Sequence, residues 1–518
     1  MVLISNFQNM INTIDKFLSR ITMYRVVLYY LIFLFAVAVI FGFLGILPFS
    51  GISIILSTLF ILAVCLVTNY IFAWAFNAQI NLESAYITAL ILVFLITPLQ
   101  SLSDSTFLSM AFWGSVWAMS SKYIFAINKK HVFNPAAFAV VLLDVTLHQS
   151  ASWWVGTAPM FPFVLIGGLL LVRKMLRFDF VISFLIVATL ASMAPHLNNV
   201  GGLLRISKNL LIISPLFFLA FVMLTEPLTT PPKRWLRVAY GALVGLLFAP
   251  GIHVGSFYFT PEIALLTGNI FAYLVSPKQK LILTLKEKQL VGADTYDFIF
   301  TPSEPLKFEP GQYLEWTLGS NGADSRGNRR YFTISSSPTE PEIHMGIKFY
   351  PAPSTFKTAL QKMKIGDNII ASQLAGEFVM PNDQTKKLAF IAGGIGITPF
   401  RSMIKYLVDK NESRSITLLY SNKTLADVAY HDIFDEAEQK LKIKTVYALT
   451  DIENIPVDWK GCCGFITADI IKKEIPDYRD RIFYLSGPHG MVVSFEKVLK
   501  DLGVSKWNIK KDFFPGFA

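Results

Sequence analysis

The run Gly393-Gly394-Ile395-Gly396-Ile397-Thr398-Pro399 follows the apolar stretch Leu388–Ala392 and precedes a helical pattern. Glycines at a strand end let backbone N–H groups approach a pyrophosphate, and a helix that starts there turns its positive end to the same anion. Thr398 suits the N-cap and Pro399 the first helical position, so the switch from strand to helix is specified locally. Such a turn gains meaning from company. Arg330-Tyr331-Phe332-Thr333 lies upstream and combines a guanidinium, which grips phosphate bidentately, with two aromatics and a hydroxyl. Ser354-Thr355 opens a short helical stretch, a second place where amides face an anion. Ser486-Gly487-Pro488-His489-Gly490-Met491 ends another apolar run, and Asp512-Phe-Phe-Pro-Gly-Phe517 follows near the C-terminus.

The elements that must hold these residues fall into two patterns. From Leu281 to about Pro381 the sequence alternates with period two, in Leu281–Leu290, Tyr296–Thr301, Gln312–Leu318, Arg330–Ser336 and Ile343–Tyr350. One helical stretch, Thr355–Met363, interrupts them. From Lys386 onward short apolar strands (Leu388–Ala392, Ile416–Ser421, Lys444–Leu449, Ile482–Ser486) alternate with helical segments, the signature of a parallel sheet covered on both faces. The expectation is an antiparallel β-barrel over 281–383 followed by a doubly wound α/β domain over 384–518.

Residues 1–280 are different. They carry long apolar runs with short polar collars, and hold 16 Lys+Arg against 7 Asp+Glu, whereas the remainder holds 30 against 29. The basic balance therefore belongs to the apolar half, and nucleic acid is not an expected partner. Ten apolar spans are expected in a membrane domain over 25–280, near 25–47, 51–75, 84–100, 105–121, 134–149, 159–172, 179–194, 207–224, 235–250 and 258–275. Most basic collars, among them Arg25, Lys122, Arg173, Lys233 and Lys278, fall on one side, and only Arg205 and Lys208 on the other. The positive-inside rule then places both termini and the soluble half in the cytoplasm of a multi-pass inner (plasma) membrane protein, with 1–24 as a cytoplasmic lead-in. Trp153-Trp154 falls in an outer loop and is expected in an interfacial aromatic belt. Three cysteines, Cys65, Cys462 and Cys463, are too few for a disulfide framework or a four-cysteine cluster, and no metal site is expected.

Residues 281–518 resemble the ferredoxin-NADP reductase superfamily. Its flavin signature, Arg-x-aromatic-Ser/Thr, is matched by Arg330, Phe332 and Thr333, with Tyr331 between them. The resemblance implies FAD as cofactor: Arg330 on its pyrophosphate, Phe332 beside the isoalloxazine, Thr333 at its N5 edge, and Ser354 and Thr355 on phosphate. Phe514 and Phe517 would shield the ring. It implies NAD(P)H as donor, held by Gly393, Gly394, Gly396, Thr398, Pro399, Gly487, Pro488 and Met491, with Thr333 and Ser486 serving hydride transfer. The family's cysteine before Gly-Pro is Ser486 here, which implies a slower transfer. Ser421 and Lys423 follow the second strand, where the adenine ribose belongs. No acidic residue stands there to grip a 2′-hydroxyl, so NADH and NADPH both stay open.

The apolar half also carries a resemblance, to the B subunit of sodium-translocating NADH:quinone reductases and the D subunit of Rnf-type electron-transport complexes. It rests on Lys130-His-Val-Phe-Asn-Pro-Ala-Ala137, Gly156-Thr-Ala-Pro159, Leu165-Ile-Gly-Gly168 and Leu224-Thr-Glu-Pro-Leu-Thr-Thr-Pro-Pro232. Those subunits carry FMN through a threonine in a Ser-Gly-Ala-Thr-like motif. The motif is missing between Thr146 and Gly156, so the implied membrane flavin, FMN or another, is held without a covalent bond near Asn134, Thr157, Thr225 and Glu226. The expected function is a membrane flavoprotein oxidoreductase that takes electrons from NAD(P)H through FAD to a quinone or outer-face acceptor, with room for separately encoded electron-transfer partners. Two alternatives share the cytosolic module. A haem-relay reductase needs stacked histidine pairs, and only His131, His148, His196 and His253 lie near the spans, mostly in loops. A transporter with a nucleotide-sensing domain would not need the complete flavin constellation.

Overall fold

A computed structural model describes residues 13–15, 17–18, 21–76, 78, 82–101, 103–127, 130–276, 281–318, 328–351 and 353–512. The chain divides into two compact units, Met1–Gln279 and Lys280–Ala518.

The first unit is helical, and each expected span meets a helix. Among the described residues, three helices are long and apolar enough to cross a membrane: Met23–Phe43, Gly51–Ala75 and Phe178–His196. Val200–Ile212 and Leu216–Met223 pass that test together, with a 49° bend between them. Ten full spans are expected, but only these three, or four with the bent pair, meet that length and composition among the described residues: Leu82–Leu95 and Pro135–Leu147 are shorter, and Ser105–Ile124 is long enough but less apolar. Pro135–Leu147 starts on the Asn134 side chain, which accepts from Ala137 N, and stops at His148 in a left-handed C-cap. Phe178–Met193 and Arg234–Phe248 pack closely, since a Cβ at Gly245 would come within 2.7 Å of the Phe184 carbonyl oxygen. Small residues let the two backbones approach, as between helices in lipid.

The tryptophan pair departs from expectation. Trp153 and Trp154 are buried, at 7% and 4% exposure, rather than placed in a belt. Trp154 Nε1 donates to the carbonyls of Val93 (2.7 Å) and Ile96 (3.1 Å), satisfying acceptors at the end of helix Leu82–Leu95. Trp153 Nε1 donates to Glu262 Oε1 at 2.5 Å. A buried indole needs a partner for its N–H, and both find one inside the unit.

The second unit holds two six-stranded sheets. In the antiparallel one the order is Arg329–Thr333, Tyr313–Thr317, Asn368–Ala375, Leu281–Gly292, Thr295–Pro302, Ile343–Lys348. Its interior is filled by alternating residues such as Leu283, Leu285, Phe298, Phe300, Trp316 and Met345. The other is parallel, in the order Cys462–Cys463, Lys444–Leu449, Ile416–Asn422, Leu388–Gly393, Ile482–Ser486, Ile509–Asp512. Alternate residues of its strands build two separate cores. Phe390, Leu418 and Tyr484 pack with Phe400 and Phe434 of helices Thr398–Lys410 and His431–Leu441. Ile391, Leu419 and Phe483 pack with Ile471 and Val492 of helices Ala468–Glu474 and His489–Asp501. The sheet is buried on both faces, so its strands read as nearly continuous apolar runs.

Candidate functional site

Arg330 sits in strand Arg329–Thr333, opposite Trp316, and is 3% exposed. Its guanidinium carbon lies 5.4 Å from the ring of Phe356, in the first turn of helix Thr355–Lys362. Ser354 caps that helix, its Oγ accepting from Lys357 N at 3.3 Å. A buried guanidinium and a helix N-terminus thus converge, which suits a phosphate. Phe332 packs on the same ring at 5.8 Å, and its carbonyl accepts from Trp316 Nε1. Tyr331 faces elsewhere: its hydroxyl donates to buried Glu315 at 2.7 Å. Thr333 is buried at the strand end, paired with Tyr313.

The glycine turn and the Ser486 turn meet. A Cβ at Gly396 would lie 2.6 Å from Gly487 Cα and press on the Ser486 carbonyl, and one at Gly393 would lie 2.9 Å from Met491 Cε and 3.4 Å from Pro488 Cδ. The two turns approach this closely because neither Gly393 nor Gly396 has a side chain. Gly394 stands at φ +52 over open space. The start of the helix is corrected in one detail. Gly394–Ile397 forms a 3₁₀ turn, Thr398 is the first α-helical residue, and its hydroxyl donates to the Ile395 carbonyl at 3.2 Å instead of capping amides; Pro399 follows as expected. Ser421 is the next-to-last residue of the neighbouring strand Ile416–Asn422, and Lys423 just beyond it is exposed, its Nζ 4.0 Å from Asp451. Phe514 and Phe517 lie outside the described residues.

Two groups here escaped the sequence reading. Asp512 pairs in register with Ser486, and desolvation pushes its carboxyl up to about 7, so a carboxyl held well above the usual aspartate range lies one strand from the serine. Tyr430, on the nucleotide side, reaches into the barrel, where its hydroxyl donates to Asp297 at 3.0 Å. Only a single aromatic in a helical run marks it in the sequence.

In the helical unit the four predicted residues fall in two places. Asn134 Nδ2 donates to Glu226 Oε2 (2.8 Å), and His131 Nε2 lies 3.0 Å from Glu226 Oε1. Asn134 N donates to Asn269 Oδ1 (2.8 Å), and Asn269 Nδ2 to the Tyr240 hydroxyl (3.3 Å). Tyr240 and Asn269 are fully buried. Thr225, also buried, donates to the Phe221 carbonyl within the π-helical turn Leu219–Met223 that precedes Glu226. Such turns recur at functional sites. Thr157 is apart from this cluster. Its loop packs against Ser214, before the helix that leads to Glu226, as a Cβ at Gly156 would lie 2.7 Å from the Ser214 carbonyl. The Thr157 hydroxyl is buried with no hydrogen-bond partner.

An antiparallel sheet with an arginine over the Phe356 ring at a helix start, followed by a parallel sheet with a glycine turn, defines a reductase module for a flavin and a nicotinamide nucleotide. Residues 390–497 match the family of oxidoreductase NAD-binding domains. NADH-cytochrome b5 reductase 1 of Mortierella alpina is 30% identical over 239 residues, covering 45% of this chain and 78% of that protein. Its counterpart in Aspergillus oryzae is 28% identical over 247 residues, 45% of this chain and 82% of that protein. Among solved structures, an Amycolatopsis cytochrome P450 reductase aligns at 24% identity and a TM-score of 0.41, over 46% of this chain and 70% of that one. The C-terminal half of the chain belongs to the ferredoxin-NADP reductase-like family, of the NADH-cytochrome b5 reductase type. The protein is an NAD(P)H-dependent flavoprotein oxidoreductase that uses FAD.

Proposed function

We propose that this chain is a membrane-bound reductase that oxidises NAD(P)H in its C-terminal unit and delivers the electrons to an acceptor held in its helical unit. When bound, FAD supplies a centre that takes two electrons together and gives them up singly. The chain's own residues do the rest. Arg330 and the amides behind Ser354 hold phosphate, Phe332 lies beside the ring, and Thr333 presents a hydroxyl to its reacting edge. Gly393, Gly394, Gly396 and Thr398 admit the nucleotide pyrophosphate, with Ser421 and Lys423 toward the adenosine. Gly487, Pro488 and Met491 floor the nicotinamide beside Ser486.

The observation that carries the membrane part is the polar cluster in which buried Asn134, Asn269 and Tyr240 meet the partly buried His131 and Glu226. A carboxylate among apolar helices is costly unless partnered, and here partners from several segments converge on it. An acceptor with carbonyl oxygens, a second flavin such as FMN or a quinone, fits the donors and the acid assembled there. Thr157, placed elsewhere, drops out of this site. The three or four apolar helices support membrane anchoring, and the collar charges favour a multi-pass protein with both termini cytoplasmic.

The test is reduction of a water-insoluble quinone by full-length protein in nanodiscs, alongside flavin released on denaturation. Glu226→Gln and Asn134→Ala are expected to slow quinone reduction at least tenfold while anaerobic bleaching of FAD by NADH keeps its rate. Unchanged quinone reduction in both variants would remove the cluster from the electron path.

A further inference from the structure

Asp297 is almost fully buried in barrel strand Thr295–Pro302, and three side chains meet its carboxylate. His344 Nδ1 lies 2.7 Å from Oδ2, Ser335 Oγ donates to Oδ1 at 3.1 Å, and the Tyr430 hydroxyl donates to the same Oδ1 at 3.0 Å. His344 and Ser335 belong to the barrel, whereas Tyr430 heads helix His431–Leu441 of the nucleotide domain. Tyr430 is held in the left-handed region, φ 60 and ψ 28. That conformation is strained for a non-glycine residue and persists only where surroundings over-determine it.

The surroundings do so here. The Arg401 guanidinium stands 5.6 Å over the Tyr430 ring, donates to the Ser335 carbonyl at 3.0 Å and forks onto Glu340, with the second bond at 2.9 Å. Ser402 Oγ donates to the Ser336 carbonyl at 2.6 Å. Nearby, Ala293 N donates to the Ala426 carbonyl and Lys348 Nζ to Asp427, so the segment before Tyr430 is strapped to the barrel as well. Gly346 lies beneath, where a Cβ would come within 2.5 Å of the Tyr430 hydroxyl and 2.6 Å of Thr398 Cγ2.

The register of this clamp matters. Ser335 is two residues past Thr333, and Arg401 is one helical turn past Thr398, so the clamp ties the strand under the flavin edge to the helix under the nucleotide. Hydride transfer needs its donor and acceptor atoms about 3–3.5 Å apart, and an error near 1 Å can cost about 100-fold in rate. Each atom is carried by a different domain. We propose that Tyr430, Arg401 and Asp297 are positioning residues for hydride transfer, fixing the spacing between the nicotinamide and the flavin rather than the affinity for either. The proposal rests on the placing of FAD at Thr333 and of the nucleotide at Thr398 given above.

The decisive variant is Tyr430→Phe in the full-length protein, which keeps the ring under Arg401 and removes one hydroxyl. FAD content and nucleotide affinity are expected to stay within twofold of wild type, while the rate of flavin bleaching at saturating NADH falls about tenfold or more. In the flavin-free protein, hydrogen exchange is expected to rise in 335–340 and 395–402. Asp297→Asn keeps an oxygen for the Tyr430 hydroxyl and is expected to hold the rate within a few-fold, whereas Asp297→Leu lowers it as Tyr430→Phe does. A wild-type bleaching rate with wild-type exchange in Tyr430→Phe overturns the proposal. So does a loss of affinity with an unchanged saturated rate, which would make Tyr430 a binding contact. If instead the protein carrying both Arg330→Ala and Thr333→Val keeps its FAD, the placing of the flavin fails, and the clamp is left as an interface between two folded domains.

Discussion

Gly396→Ala is the sharpest probe of the nucleotide cradle, because the added methyl has nowhere to go. Its Cβ would sit 2.5 Å from the Ser486 carbonyl carbon and 2.6 Å from Gly487 Cα, both backbone atoms that no rotamer change can withdraw. Ordinary contact begins near 3.4 Å, so the two turns must part by about 0.9 Å to clear the Ser486 carbonyl carbon, and further to clear its oxygen. A forced backbone shift of this kind costs about 1–3 kcal/mol of stability. The effect on chemistry is larger, since a displacement approaching 1 Å between reacting partners costs about 100-fold, or close to 2.7 kcal/mol at 1.36 kcal/mol per tenfold. Gly394→Ala is the matched control. It meets open space, and its φ of +52 charges the variant about 1 kcal/mol of strain. The assay is anaerobic stopped-flow bleaching of the flavin by NADH, with flavin content and thermal midpoint recorded for both variants. At saturating NADH, Gly396→Ala is expected to keep FAD and lose about two orders of magnitude in bleaching rate, while Gly394→Ala, whose methyl projects into the space proposed for the pyrophosphate, weakens NADH binding and loses little of the saturated rate. Equal, near-wild-type rates in the two variants would refute the close approach of the Gly396 and Ser486 turns in the working enzyme.

Arg330→Ala removes a buried charge aimed at the start of helix Thr355–Lys362 and is expected to weaken FAD binding by about 1.5–3 kcal/mol, read as flavin lost on gel filtration. Ser486→Cys restores the family residue beside the nicotinamide turn and is expected to leave nucleotide affinity alone and to hold or raise the bleaching rate. Asp512→Asn addresses pH. The Asp512 carboxyl is raised to about 7 in the folded chain, whereas an unfolded aspartate titrates near 3.9. Between those values the folded state binds the extra proton, so this group lowers stability as pH climbs from about 4 to 7, and Asp512→Asn is expected to flatten that part of the thermal-midpoint profile. An unchanged profile would show that Asp512 titrates normally.

Much of the second unit was legible because its chemistry is local. Leu388–Ala392 reads as a strand, and the glycines that follow mark a turn through their own backbone. The expected strand Tyr296–Thr301 falls within Thr295–Pro302, and Gln312–Leu318 differs from Tyr313–Thr317 by one residue at each end. Strand Asn368–Ala375 was not singled out, because Asn368-Ile-Ile-Ala-Ser-Gln-Leu-Ala375 places polar residues without strict alternation. Cys462–Cys463 pairs over two residues only, too few to show a period. Thr398 was read as an N-cap from its type, yet the 3₁₀ turn ahead of it supplies a different start. Propensity named the right neighbourhood there and tertiary packing chose the residue.

The helical unit is legible in where its helices lie, but not in how many are long and apolar enough to span a membrane, nor in its polar interior. Apolar periodicity reports which face of a helix avoids water, and a helix that is apolar all round shows no such face. Trp153 and Trp154 were assigned to an interface by composition, but the Trp154 N–H satisfies carbonyls at the end of helix Leu82–Leu95, a demand that belongs to another part of the chain. The Glu226 cluster is more extreme. Its bonds join residues 92, 95 and 135 positions apart, so no spacing rule links them. Glu226 could be flagged from sequence because a carboxylate beside an apolar span is expensive, and Asn134 because it precedes a proline. Tyr240 and Asn269 give no sign, since each stands mid-helix among mostly apolar neighbours with no local pattern to mark it. The same holds for Asp297 and Tyr430, 133 residues apart. In both units the buried polar groups that bear on chemistry are answered by partners distant in sequence. An isolated Asp, Glu, Asn or Tyr inside an apolar run is therefore a question about the fold, and only the packed chain supplies the partner that decides whether it is a cap, a clamp or a site.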